Sequence, residues 1–146
     1  MIPDEELTGL LADPAQAGVY FVDARDSTAL TRAATALDYA LLRIDLADCP
    51  DKAGLMECFA AAGRFPDWFG GNWDALADTL ADLSWWPAPG YVLLIEHGGD
   101  WRDSHADDFA VLLDILDDTA RRWAAAGTGF WALLPLSAEQ LARLED

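Results

Sequence analysis

Residues 91–97, YVLLIEH, decide how the rest of the chain is read. Tyr91 to Ile95 form an unbroken apolar run with no polar face. A strand of that kind is buried on both sides, which is the pattern of a parallel strand covered by helices rather than of a half-solvated antiparallel one. Parallel neighbours need long crossovers, usually helical, so helices should flank this run. They do. Upstream, GVYFVD at 18–23 and YALLRIDL at 39–46 read as strands, with a cap-rich and then alanine-rich helical stretch, DSTALTRAATALD, between them. DKAGLMECFAAAG at 51–63 opens on an aspartate cap and closes on glycine, so it reads as a helix despite Gly54. WWPAPG at 85–90 must turn. Downstream, HGGD breaks the strand, and residues 104–127 read as one long amphipathic helix with early acids, late Arg121 and Arg122, and a stop at Gly127. GFWALLPL at 129–136 is a fourth strand, and Ser137 with Gln140 forms a capping box for a short last helix. Strands alternating with helices predict an α/β layered fold with a mostly parallel small sheet packed by helices. Strand order does not follow from these patterns.

Composition narrows the function. The 146 residues are enough for one domain with a real core, and 53% are hydrophobic. Nine Lys+Arg against 26 Asp+Glu give a formal charge of −17. Such a surface repels phosphate backbones and anionic membranes, so no direct nucleic acid and no membrane is expected, while a cationic partner is favoured. Cys49 and Cys58 make neither a disulfide framework nor a zinc spacing, and Cys58 reads as a small buried hydrophobe. The N-terminus, MIPDEELTGLLADP, has acids where a secretory leader needs positive charge, and no apolar run is long enough to span a bilayer. The expectation is a soluble, cytoplasmic protein, monomer by default.

FPDWFGGNWDALADTLADL, residues 65–83, is where function is to be sought. Asn72 is a strong N-cap, making Trp73 the first residue of a helix. At about 100° per residue, Trp73, Leu76, Leu80 and Leu83 share the docking face. Asp74, Asp78 and Asp82 share another and point outward. Like charges at that spacing repel by roughly 0.2–0.5 kcal/mol per pair. Gly70 and Gly71 allow a tight turn and leave backbone open to a partner, Pro66 stiffens the entry, and Trp68 and Phe69 stand beside it. An acidic helix face is most often simply solvated, and the two aromatics read equally well as core. The functional alternative is a carboxylate row spaced to imitate phosphates, with an aromatic loop as anchor.

Pro66, Asp67, Trp68, Phe69, Gly70, Asn72, Asp74, Ala75, Leu76 and Asp78 resemble the signature of the barstar family, the intracellular inhibitors of barnase-type secreted ribonucleases. The likeness runs from about Ala40 to Leu136, since the strands and helices around the motif follow the family's order. The resemblance implies one barstar-like domain over 1–146, with 1–38 an extension carrying an extra strand and helix, 39–136 the core, and 137–146 a short final helix. It also implies a mechanism. The motif helix and preceding loop plug the nuclease cleft. Asp78 takes the place of substrate phosphate, Asp74 pairs with a basic side chain nearby, Trp68 packs on the catalytic histidine, and Gly70 and Asn72 form the loop contact. The partner-binding set is therefore Trp68, Phe69, Gly70, Gly71, Asn72, Asp74, Asp78 and Asp82. The partner is a basic secreted ribonuclease, with no cofactor, no metal and no catalysis by this chain. Against the archetype, Ala77 replaces a tryptophan and Gly71 an acid. The place of a further interface glutamate falls near Arg121 or Arg122, where Asp117 or Asp118 would have to supply the acid.

Other readings stay open. A non-inhibitory interaction module could present the same acidic surface to another basic protein, and Asp74 with Asp78 could form an acid/base pair if a pocket enclosed them. His105 beside Asp103, Asp107 and Asp108 reads as an exposed histidine among acids at a helix N-terminus, and Asp114, Asp117 and Asp118 as a solvated face. His97 before Gly98-Gly99 carries no signal.

Overall fold

The computed structural model describes residues 9–145; residues 1–8 of the predicted extension and Asp146 of the predicted last helix lie outside them. Four strands form one sheet: β1 (Gly18–Asp23), β2 (Ala40–Asp45), β3 (Gly90–Glu96) and β4 (Gly129–Leu136). Their order is β1-β4-β3-β2, and every neighbouring pair is parallel. The fold is thus α/β with an all-parallel sheet, and the extra N-terminal strand joins it at one edge beside β4.

Helices cover both faces. On one side lie α1 (Ser27–Ala36) and the segment around Leu11; on the other lie α2 (Lys52–Ala62), α3 (Trp73–Asp82) and α5 (Ala106–Ala125). Between β3 and α5 sits α4 (Gly98–Ser104), and α6 (Ala138–Glu145) follows β4. Alternation along the strands feeds two cores. Leu93 and Ile95 of β3, with Phe130, Ala132 and Leu134 of β4, meet Leu55 and Phe59 of α2, Leu76 and Leu80 of α3, and Leu112 and Leu116 of α5. Val92, Leu94, Trp131 and Leu133 point the other way, to Leu30, Ala33 and Ala34 of α1. Burial of both faces explains why β3 and β4 are apolar throughout.

Two glycines make room on the α1 side. Gly90 and Gly129 are register partners at the starts of β3 and β4. A Cβ at Gly129 would lie 2.1 Å from the Trp131 ring, and one at Gly90 2.6 Å from the Tyr39 ring. Those two rings stack, with centroids 5.5 Å apart and an interplanar angle of 18°.

The long helix read over 104–127 is α5, Ala106–Ala125, but the stretch before it, read only as a break, needs correction. A separate helix, α4, occupies Gly98–Ser104, and the chain bends at His105 before α5 begins. Gly98 and Gly99 allow it because both are buried, pressed against Leu134 and against Leu136 and Gln140. Paired glycines here serve packing, where the sequence suggested only a break. The strand likewise stops at Glu96, and His97 is in the left-handed region at φ 61°. His105 is half-buried rather than exposed: its ring stacks on Trp101 at 4.6 Å, and its Nε2 lies 2.9 Å from the Pro50 carbonyl. Cys58 is likewise half-buried, while Cys49 is the buried thiol.

Candidate functional site

The loop and helix of the motif are built from local chemistry. The Asn72 side chain accepts from the Ala75 N–H at 2.8 Å and starts α3 at Trp73. Gly71 just before it has φ 69°, a conformation that costs other residues dearly. Leu76, Leu80 and Leu83 are buried, and Trp73 is partly so, which fixes the helix on the core as its spacing predicts. The indole of Trp123 on α5 donates to the Leu80 carbonyl at 2.9 Å and ties the two helices together. Leu83 ends α3 in the left-handed conformation.

The loop rests on an aromatic cluster. Phe65 meets Phe69 edge-on at 4.8 Å and Trp85 at 5.9 Å. Trp85 donates its indole N–H to the Gly63 carbonyl at 3.0 Å, holding the entry of the loop. The Phe69 N–H donates to the Pro66 carbonyl at 3.0 Å. Phe69 is therefore a half-buried packing residue. Trp68 is not core: it is 62% exposed, and an edge-to-face contact with Trp85 steadies it. Gly70, Gly71 and Asn72 are exposed alongside it. Trp85, Trp86 and Arg64 were missed as parts of this surface. Their signal in the sequence was the WW pair ahead of the proline turn; Arg64 stacks over Trp86 at 4.0 Å.

Asp74, Asp78 and Asp82 are all exposed. Among the described residues, none of them forms an ion pair. On α5, which packs against α3, both arginines are engaged elsewhere: Arg121 with Asp117, and Arg122 with Asp118 at 2.9 Å, each one helical turn apart. These four exposed side chains pair within α5, so neither arginine stands there as a free cation. Neither Asp74 nor Asp78 lines the 250 Å³ groove between α2 and the loop or the 440 Å³ cleft at the carboxyl ends of the strands. An open helix face does not supply the enclosure an acid/base pair needs.

A second cluster, silent in the sequence, lies at that cleft. His97 Nδ1 is 2.6 Å from Asp45 Oδ1, and Arg43 donates to Glu96 at 2.9 Å. The Asp45 hydrogen bond holds the His97 imidazole above its usual range; the Ala47 N–H and then His97 hold the Asp45 carboxyl below its own. These residues lie about fifty positions apart in the chain, and only strand pairing joins them.

Comparison with known families agrees with this geometry. The family described as Barstar (barnase inhibitor) matches residues 39–135. The chain belongs to the barstar family. The matched span includes the whole aromatic loop and acidic helix, and it leaves β1 and α1 outside, as additions to the barstar core. Among curated proteins, no sequence matches this barstar-family chain. Among solved structures, the Aeropyrum pernix ORC2 protein in its ADPNP–ADP complexes is similar, with TM-score 0.64, 13% identity, and coverage of 97% of this chain and 42% of that one. Drosophila ORC bound to DNA is similar at TM-score 0.51 and 18% identity, over 91% of this chain and 36% of that one. The chain spans less than half the length of either, and at these identities the likeness concerns the layered α/β fold alone.

Proposed function

We propose that this barstar-family chain inhibits a basic secreted ribonuclease by seating α3 and the Trp68–Asn72 loop in its active-site cleft. The observation that carries the reading is the row Asp74, Asp78 and Asp82, exposed and without an ion-pair partner among the described residues, beside the exposed Trp68. A nuclease that grips RNA must line its cleft with cations, and an acidic plug on a chain of charge −17 is steered there quickly. Asp78 takes the place of a phosphate, Asp74 engages a neighbouring base-binding or phosphate-binding cation, and Asp82 extends the row. Trp68 supplies the apolar anchor, while Gly70, Gly71 and Asn72 present backbone to the rim and Phe69 holds the loop in shape. Each charge-assisted hydrogen bond to a guanidinium is worth about 1.5–3 kcal/mol, against a few tenths lost to repulsion along the helix. The chain itself performs no chemistry in this role and needs no cofactor. It acts in the cytoplasm as a monomeric barstar-like domain, where it protects the cell's own RNA before the enzyme is exported.

Titration into a basic secreted ribonuclease at low and high salt tests the reading. The expected result is loss of RNA cleavage at one equivalent, with association that slows as salt rises. Association without loss of cleavage would instead make the chain an interaction module that uses the same acidic surface. The absence of any association with barnase-type nucleases would reject inhibition of that class.

A further inference from the structure

A separate arrangement of side chains, sharing no residue with the acidic helix, lies where β2 and β3 end. Asp45 closes β2, Glu96 closes β3, and the register sets them side by side. His97 follows at once, and its left-handed turn directs the imidazole to Asp45. One ligand atom from each of Asp45, Glu96 and His97 lies within 4.8 Å of the others. Glu96 and His97 also line the half-open cleft of about 440 Å³, together with Arg43, Asp100 and Gln140. The carboxyl ends of parallel strands are where open α/β sheets take ligands, and this cleft runs along those ends, from Ala24 after β1 to His97 after β3.

We infer that Asp45, Glu96 and His97 bind one divalent first-row transition metal ion, for which Zn²⁺ is the reference. One imidazole nitrogen with two carboxylate oxygens is a mixed donor set that suits Zn²⁺ and its neighbours, whereas Mg²⁺ and Ca²⁺ prefer oxygen throughout. Three protein ligands leave a coordination position for water, and the adjoining cleft has room for it. Both carboxylates are already oriented by outer partners. Arg43 donates to Oε1 of Glu96 at 2.9 Å and leaves Oε2 free, and the Ala47 N–H donates to Asp45 Oδ1 at 2.9 Å. Such supporting contacts are what metal ligands in proteins characteristically have. Loading exchanges the His97–Asp45 hydrogen bond for two bonds to the metal, and any proton on Nδ1 leaves to solvent. Arg43 opposes the incoming cation, and the two carboxylates offset it.

A chain this acidic attracts every cation diffusely, so the test must show selection. Calorimetric titration of the full chain with Zn²⁺, in about 0.15 M NaCl to screen the surface field and with excess Mg²⁺ present, should give saturation at one equivalent. His97→Asn keeps a residue tolerant of positive φ and should weaken binding by at least about tenfold, as should the isosteric Asp45→Asn. Circular dichroism in chelator confirms that each variant folds. Cys58→Ser and Asp117→Asn should bind like the parent. Absence of saturable binding at one equivalent overturns the inference. So does undiminished binding in both His97→Asn and Asp45→Asn, or loss in Cys58→Ser alone, which would assign the ion to the thiols. None of these outcomes depends on a nuclease partner.

Discussion

Trp68 stands edge-on to Trp85 with ring centroids 5.9 Å apart, yet keeps 62% of its surface in water. The two indoles therefore divide their work. Trp85 is spent on the loop, through Phe65 and the Gly63 carbonyl, while Trp68 is held out for something else. Trp68→Ala should leave the melting temperature nearly unchanged and weaken nuclease binding markedly. Trp85 is only half-buried, so Trp85→Ala should lower stability by about 1–3 kcal/mol, below the range for a fully buried aromatic. Thermal melts and inhibition constants measured on both variants check the division, and equal stability loss in both would contradict it.

Asp78→Ala should lose binding through both rate constants. Removing one charge from the row weakens steering, so the association rate should fall and lose part of its salt dependence. Removing a carboxylate from a cation-lined cleft should also speed dissociation. Stopped-flow association at two salt concentrations reads the first effect, and competition with excess inhibitor reads the second. Glu139→Ala, an exposed acid on α6, should do neither.

Asn72 is capping residue and loop residue at once. Asn72→Ala should cost about 1 kcal/mol of stability, because the Ala75 N–H loses its acceptor. Asn72→Asp keeps an acceptor there and should restore most of that stability in urea melts. Whether it also restores binding depends on the partner contact, so the pair of variants separates the two roles.

Gly129→Ala should be strongly destabilising despite its small volume. The added carbon would lie 2.1 Å from the Trp131 ring, which is stacked on Tyr39 and cannot give way cheaply. Overpacking of this kind costs about 1–3 kcal/mol. Denaturant unfolding checks it, and Gly71→Ala provides a contrast, since nothing lies near that Cβ and only the positive φ is penalised.

The His97–Asp45 pair should leave a trace in the pH dependence of stability, measured with chelator present. His97 titrates higher when folded, so its contribution is complete below its ordinary value of 6.5 and fades as pH rises through the raised one. Asp45 titrates lower when folded, so its contribution is present above 3.8 and fades as pH falls through the lowered value. The pair therefore helps most between those two limits. Both side chains are about half exposed, so the gain is at most about 1 kcal/mol. His97→Asn should lose it at pH 5.5 and lose less at pH 9, and a difference independent of pH would contradict this account.

Much of this molecule was legible in one dimension because its elements announce themselves over short distances. An unbroken apolar run such as Tyr91–Ile95 can be satisfied only by burial on both faces, and Asn72 can cap only the helix that starts beside it. The leucine stripe of α3 by itself forces Asp74, Asp78 and Asp82 outward. Packing and long-range pairing set the remainder. Buried Gly98 and Gly99 turned an apparent break into a helix, the core took Phe69 and left Trp68 to solvent, and β2 beside β3 brought Asp45 to His97. Each of those outcomes depends on which surfaces meet in space, and local periodicity carries no information about contacts between residues as far apart in the chain as Asp45 and His97.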